Sequence, residues 1–314
     1  MRCDVWMLGL HSLVAHARHC GFARSMEQLR DDRATSTTPA MSIAKADLIE
    51  GMAKGMAVLE SFDTERQRLN ATLAAQRAGI TRAAARRHLL TLAHLGYLET
   101  DGSYFWLSAK VLRFSGSYLS SARLPRAVQP TLNRLAAQTR DSFSVAVLEG
   151  DAVVIVARSE AMVASTGDWD GGSLGAPLSG GAPVRLLAYG LHLGARLPAH
   201  ATSTGRVLLA ALPKTEFNGW LKGRALARLT PYTVVEPKAF RQVIADVRQA
   251  DHCIASEEHE LGVFAVAVPL RNLDGKTVAA LNAVVPHSRL QNGAVQRELL
   301  PLLQDAAREL RPLL

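Results

Sequence analysis

The chain is poor in cysteine and in aromatic residues, and it has no long apolar run. Its three cysteines, Cys3, Cys20 and Cys253, are far apart and odd in number, so no disulfide framework is implied. Aromatics make up only 5%, yet the hydrophobic fraction of 48% is ordinary for a globular protein. No apolar stretch approaches the ~20 residues that a membrane span requires. Residues 6–14 are apolar but interrupted by His11 and Ser12. A single basic residue, Arg2, precedes them and no clean small-residue cleavage site follows, which argues against a secretory signal. His16, His19 and Cys20 fit one helix face, but no second ligand pair follows them, so no metal site is expected. Nothing in the chain implies a cofactor.

What is present is length, at 314 residues enough for two domains, and a formal charge of +8. Such a balance suits a phosphate-rich partner, and equally a merely soluble basic protein. The segment 33–40, RATSTTPA, reads as disordered. Met41 just after it is the expected biological start, or else residues 1–44 form a loosely attached tail.

The most informative stretch is 70–97, NATLAAQRAGITRAAARRHLLTLAHLGY. It predicts two short helices and a sharp turn. Gly79 ends the first helix, because glycine accepts the positive φ of a C-cap. Ile80 is expected in the core, and Thr81 is a good N-cap for the second helix. There Ala85, His88, Leu89 and Leu92 recur at helical spacing and should face inward. The opposite face carries Arg82, Arg86 and Arg87, with small Ala83 and Ala84 between them. Such a face can enter a DNA major groove and reach phosphates and guanine edges. Thr81, Arg82, Ala83, Ala84, Arg86 and Arg87 are therefore the candidate DNA-binding residues. Ala75, Gly79 and Ala85 occupy the positions where the two helices of a helix-turn-helix approach closely. The competing reading is a surface helical hairpin with solvated arginines. Residues 97–107, YLETDGSYFWL, favour DNA, since Asp101-Gly102 predicts a type I′ hairpin, the wing of a winged helix. Residues 48–62 supply a third helix, with Met52, Met56 and Leu59 expected on its core face.

Residues 108–119 place Val111, Leu112, Ser115 and Leu119 at helical spacing, a linker helix where two subunits could meet. A new unit is expected at Pro125, with a helix over 126–139 burying Val128, Leu132 and Leu135. Strands follow at 143–148 and 152–157, joined by a turn at Glu149-Gly150-Asp151. Residues 161–181 are rich in Gly, Ser and Ala without periodicity, and read as an insertion, a surface loop or a lid. A strand is expected over 184–193, then a loop into a buried helix ending near Ala211. Further on come a helix at 240–252, strands at 263–270 and 277–285 around Asp274-Gly275, and a C-terminal helix at 296–313. The expected domains are thus a tail at 1–44, a winged helix-turn-helix at 45–107, a linker helix at 108–124, and a domain at 125–314 carrying the 161–181 insertion. Antiparallel pairs alternating with helices give an α+β class.

With both halves read, the chain resembles the IclR family of bacterial transcription regulators. The resemblance runs from about Ala44 to the C-terminus. It rests on ARRHLLTLAHLGY, on RLPAHATSTGRVLLA and on SEEHELGVFAVAVPLRNLDGKTVAALNAV. GLHLGARLPAHATSTGRVLLA is most similar to the branch answering to aromatic acids such as protocatechuate and 4-hydroxybenzoate. The tail and the insertion depart from the pattern. The resemblance implies a GAF- or profilin-like effector domain with an antiparallel sheet flanked by helices, assembly as a homodimer or a dimer of dimers, and a cytoplasmic regulator that is not an enzyme. Carried over, the effector site would include Leu186, Tyr189, Ser203 and Thr204. It would also include Ala255, Ala265, Asn282 and Val284, where the alanines and valine make it more apolar than in related regulators.

The residues themselves support such a site. Ser203 and Thr204 open a helix, whose unsatisfied N–H groups and dipole favour a carboxylate. Asn282 can donate to or accept from a ring hydroxyl, unless it is a satisfied core amide. Tyr189 offers an aromatic wall. The expected partners are an operator in double-stranded DNA and a small organic acid. Two alternatives stay open: an architectural DNA-binding protein that senses nothing, and a serine hydrolase using Ser203, whose surroundings approach Gly-x-Ser-x-Gly.

Overall fold

The computed structural model describes residues 43–63, 66–159, 192–285 and 293–314. The expectations for residues 1–42, for the 161–181 insertion, and for Leu186 and Tyr189 lie outside the described residues. The chain divides into two compact units between Lys110 and Val111.

The first unit packs three helices, α1 (Glu50–Leu59), α2 (Ala71–Ala78) and α3 (Arg82–His94), against a short hairpin, β1 (Leu98–Thr100) and β2 (Phe105–Leu107). Asn70 caps α2, its side-chain oxygen accepting from the Thr72 and Leu73 amides at 3.1 and 3.0 Å. Gly79 closes α2 in the left-handed region at φ 66. Thr81 caps α3, accepting from the Ala84 amide at 3.3 Å. Ala74, Ala75, Ala78, Ala85, Leu89 and Leu92 form the shared core with Val58, Phe62, Leu69, Leu98 and Phe105. His88 and Ile80 are half-buried. Leu69 exchanges both backbone hydrogen bonds with Phe105, adding a third strand-like segment to the wing.

Two details differ from expectation. Met52 and Met56 face outward, 67% and 50% exposed. The inward face of α1 is instead centred on the fully buried Val58, with Gly55 half-buried beside His88 on α3. Only Leu59 of the expected face is half-buried against this core. The wing turn is also longer than a two-residue type I′ turn. Thr100 pairs with Phe105 and the loop spans 101–104. Only Gly102 takes a positive φ, of 95. The Asp101 carboxylate accepts from the Ser103 and Tyr104 amides at 3.0 and 2.7 Å, which stabilises this wider turn.

The second unit opens with α4 (Leu112–Ser121) and α5 (Arg123–Thr139). Helix α5 starts before Pro125, which is tolerated there because first-turn N–H groups have no intrahelical partner. A six-stranded antiparallel sheet follows, built from β3 (Ser142–Glu149), β4 (Ala152–Arg158), β5 (Arg196–Pro198), β6 (Cys253–Ser256), β7 (Phe264–Arg271) and β8 (Thr277–Val285). The strand order is β5-β4-β3-β8-β7-β6. The described end of the strand expected at 184–193 is a turn over residues 192–194, closed by Gly194 at φ 81, and β5 begins after it. One sheet face packs Val145, Val266, Val268, Leu281 and Ala283 against α5 and α9 (Leu300–Leu310). The other face, with Ala146, Ala267 and Ala280, packs against α6 (Ser203–Ala211), α7 (Lys214–Leu221) and α8 (Pro237–Ala250). Neither α7 nor β6 is foreseen from the sequence. Both are short, and α7 is held by tertiary contacts of Phe217 and Trp220.

Helix α6 is buried from Ser203 to Ala210. The Arg248 guanidinium donates to the carbonyls of Ala210 and Leu212 at its C-terminal end, at 2.8 and 3.0 Å. Its N-terminal end approaches the preceding turn Ala199–Ala201 very closely. A Cβ at Gly205 would lie 2.1 Å from the Ala199 carbonyl oxygen. Gly205→Ala should therefore destabilise by at least about 1–3 kcal/mol in urea unfolding. Gly219→Ala, in open space on α7, should change stability by no more than about 1 kcal/mol.

Candidate DNA and ligand sites

On α3, Thr81, Arg82, Ala83, Arg86 and Arg87 are exposed and Ala84 is half-buried. None of the three arginines makes an ion pair with a described residue. The face therefore presents three cations next to small side chains, with Ala85, Leu89 and Leu92 anchoring the other side of the helix in the core. At the wing, the Arg68 guanidinium lies 4.3 Å over the Trp106 ring and bonds Asp101 at 2.8 Å. Trp106 in turn donates to Glu99 at 3.0 Å. These contacts stiffen the hairpin beside the helix-turn-helix.

In the second unit the N-cap of α6 is Thr202, whose hydroxyl accepts from the Gly205 amide at 3.2 Å. Ser203 and Thr204 are thus the first two helical residues. Their N–H groups have no partner among the described residues. The Ser203 hydroxyl is 1% exposed and likewise has no hydrogen-bond partner among them. A buried polar atom of this kind is costly to leave unpaired.

The strands beside α6 carry the remaining residues expected at the site. Ala255 pairs with Ala265, and Ala265 with Val284, giving one row across β6, β7 and β8. The adjacent row runs Cys253, Ala267, Asn282 and Ser144. Side chains alternate between sheet faces, so both rows lie on the face that α6 covers. The Ser144 hydroxyl donates to Asn282 Oδ1. The amide oxygen of Asn282 is therefore engaged within the sheet, which leaves its NH2 group as the donor for a ligand. The structure brings Ser203, Thr204, Ala255, Ala265, Asn282 and Val284 to one helix and one sheet face.

One group at this site is not anticipated from the sequence. Arg206, one turn beyond Ser203, is 3% exposed and forms a bidentate ion pair with Glu258, which is 11% exposed. The signal was available: an arginine between Gly205 and Val207, opening a run that continues VLLA, must be solvated or paired. Glu258 was visible only as one of three acids before a strand. Burial also holds the imidazoles of His200 and His259 below their ordinary range. Burial pushes the Cys253 thiol up to about 11, with Arg206 opposing it in part. His200 Nε2 is engaged with the Ala227 carbonyl oxygen at 2.9 Å.

Comparison with known proteins gives two family matches. The IclR helix-turn-helix domain matches residues 51–102, and the C-terminal domain of bacterial transcriptional regulators of the IclR type matches residues 182–311. The p-hydroxybenzoate hydroxylase transcriptional activator of Acinetobacter baylyi is 48% identical over 271 residues, 86% of this chain and 94% of that protein. Among solved structures, the inducer-binding domain of the PobR transcription factor from Acinetobacter, a double mutant in complex with 3-hydroxybenzoic acid, is 43% identical. It matches with a TM-score of 0.51 over 60% of this chain and 98% of that one. An IclR homologue from Microbacterium hydrocarbonoxydans, complexed with 4-hydroxybenzoate, is 27% identical with a TM-score of 0.60, covering 83% of this chain and 97% of that one.

Proposed function

The chain belongs to the IclR family of bacterial transcriptional regulators, and on that premise we propose that its operator binding answers to a small aromatic carboxylate held at the N-terminus of α6. The observation that carries this reading is the buried Ser203 hydroxyl beside two helix N–H groups, none of them partnered among the described residues, on a helix that packs over rows of alanine and valine. Those groups suit a carboxylate, and the alanine rows offer an apolar surface of small side chains to an aromatic ring. The hydroxybenzoates in two related structures are of this chemical class. A hydrolase is less well supported: Ser203 lacks a hydrogen-bonded base among the described residues, and His200 is engaged with a carbonyl.

In this reading a carboxylate accepts from the Ser203 and Thr204 amides, and the Asn282 NH2 meets a ring hydroxyl. A charge-assisted hydrogen bond contributes about 1.5–3 kcal/mol, and ring burial adds to it. The effector shifts operator affinity only by its differential binding to two arrangements of the protein, an expected coupling of about 1–3 kcal/mol. Asn282→Ala should weaken 4-hydroxybenzoate in calorimetry while leaving ligand-free operator binding intact. Unchanged affinity would place the pocket elsewhere.

At the operator, Arg82 and Arg86 are assigned to base edges or adjacent phosphates, and Arg87 to a phosphate. Thr81, Ala83 and Ala84 give the backbone room to approach. In a mobility-shift titration, Arg86→Ala should cost about 1–3 kcal/mol and relax specificity at one base pair. Sequence-independent, purely salt-dependent binding would instead favour an architectural protein.

A single winged helix buries little surface, and paired half-sites are read by symmetric dimers. Ile49 at the start of α1, Met52 and Met56 on it, and Leu112 and Tyr118 on α4 are exposed apolar side chains that such a dimer would cover. The protein should sediment as a homodimer, or as a tetramer through its effector domains, at micromolar concentration. A monomer would remove this assembly.

A further inference from the structure

The α6 terminus that receives the ligand is tied to two other segments through one buried ion pair. Arg206 donates through Nε to the His200 carbonyl at 2.9 Å and through both terminal nitrogens to Glu258. Its guanidinium carbon lies 5.9 Å from the Phe240 ring centroid. Glu258 Oε2 also accepts from the Val234 amide at 3.2 Å. The Glu258 carbonyl accepts from the Thr233 hydroxyl at 2.6 Å, and the Glu257 carbonyl from the Thr230 hydroxyl at 2.7 Å. The 257–263 loop is itself braced, since Glu257 donates to the Val263 carbonyl and accepts from Gly262 through its side chain, both at 2.8 Å. That loop joins β6 to β7, the strands that carry Ala255 and Ala265.

We infer that Arg206 and Glu258 are the positioning pair of the effector site. They pin the open end of α6 to the 257–263 loop, and their mutual neutralisation sets how strongly the site prefers an anion over its neutral isostere. The inference rests on the aromatic-carboxylate reading. Physically, the pair presents no net charge one helical turn from Ser203, so the anion preference comes from the helix terminus alone. Removing either partner leaves a buried charge whose field, weakly screened, acts directly on the ligand carboxylate.

The opposite signs of these two fields make the test. The full chain is titrated calorimetrically with 4-hydroxybenzoate and with 4-hydroxybenzamide. Glu258→Gln should raise the preference for the anion over the amide at least about fivefold, and Arg206→Met should lower it by a similar factor. The double variant Arg206→Met with Glu258→Leu keeps packing without charge, and should return the preference to within about twofold of the parent. Hydrogen exchange read in parallel should accelerate at the amides of Gly205 and of position 206, both bonded to Thr202, and across 257–263 in all three variants, with β3 and β4 unchanged. A purely structural role would weaken both probes equally and leave the preference unmoved, which overturns the electrostatic assignment. Unaltered exchange at the α6 terminus overturns the pinning. If the parent protein binds neither probe, the aromatic-acid reading falls and takes the ligand-preference assignment with it, while the exchange data still decide whether the pair pins the helix.

Discussion

The end of α6 lies so close to the turn before it that one methyl group at position 205 would meet a carbonyl oxygen at 2.1 Å. Much of the second unit follows from this contact. A helix seated that tightly is buried along nearly its whole length, so each polar group it brings must be paired or left open for a purpose. Thr202 satisfies the Gly205 amide, Arg248 covers the C-terminal carbonyls, and Glu258 neutralises Arg206. The Ser203 hydroxyl and the Ser203 and Thr204 amides have no partner among the described residues.

The sheet complements that arrangement through its small side chains. The face toward α6 is built from Ala146, Ala255, Ala265, Ala267 and Ala280, whereas the opposite face is filled by valine, leucine and phenylalanine from β3, β7 and β8. A bulky face lets α5 and α9 close a conventional core, and a small-residue face lets α6 lie close to the sheet. Asn282 lies on that same face with its oxygen committed to the Ser144 hydroxyl, which leaves its NH2 group as the donor.

The first unit shows a different division. Its core is made largely of alanine and leucine on α2 and α3, which lets the two helices approach closely and leaves the arginine face of α3 outward. Asn70 and Thr81 begin these helices through their side-chain oxygens, and Gly79 ends α2 through its positive φ, all by contacts within a few residues. The apolar residues of α1 that this core does not use, Met52 and Met56, are exposed on this unit. Surface exposure of that kind is uncommon unless a partner covers it.

Local chemistry fixed what the sequence could say unaided. Helix caps and the period of α3 identified the helix-turn-helix and its exposed arginines, because they depend on neighbours within one or two turns. The α+β class and the open end of α6 were legible for the same reason, as were the strands β7 and β8. Other features depended on distant partners. The burial of Val58 rather than Met52 or Met56 was decided by how α1 lies against α3, since both faces of that helix carry apolar residues. The wing turn was decided by where the Asp101 carboxylate found its donors. The strand β6, the helix α7 and the Arg206–Glu258 pair were invisible because short segments carry little periodicity. An ion pair between residues 206 and 258 exists only once the sheet has brought them together.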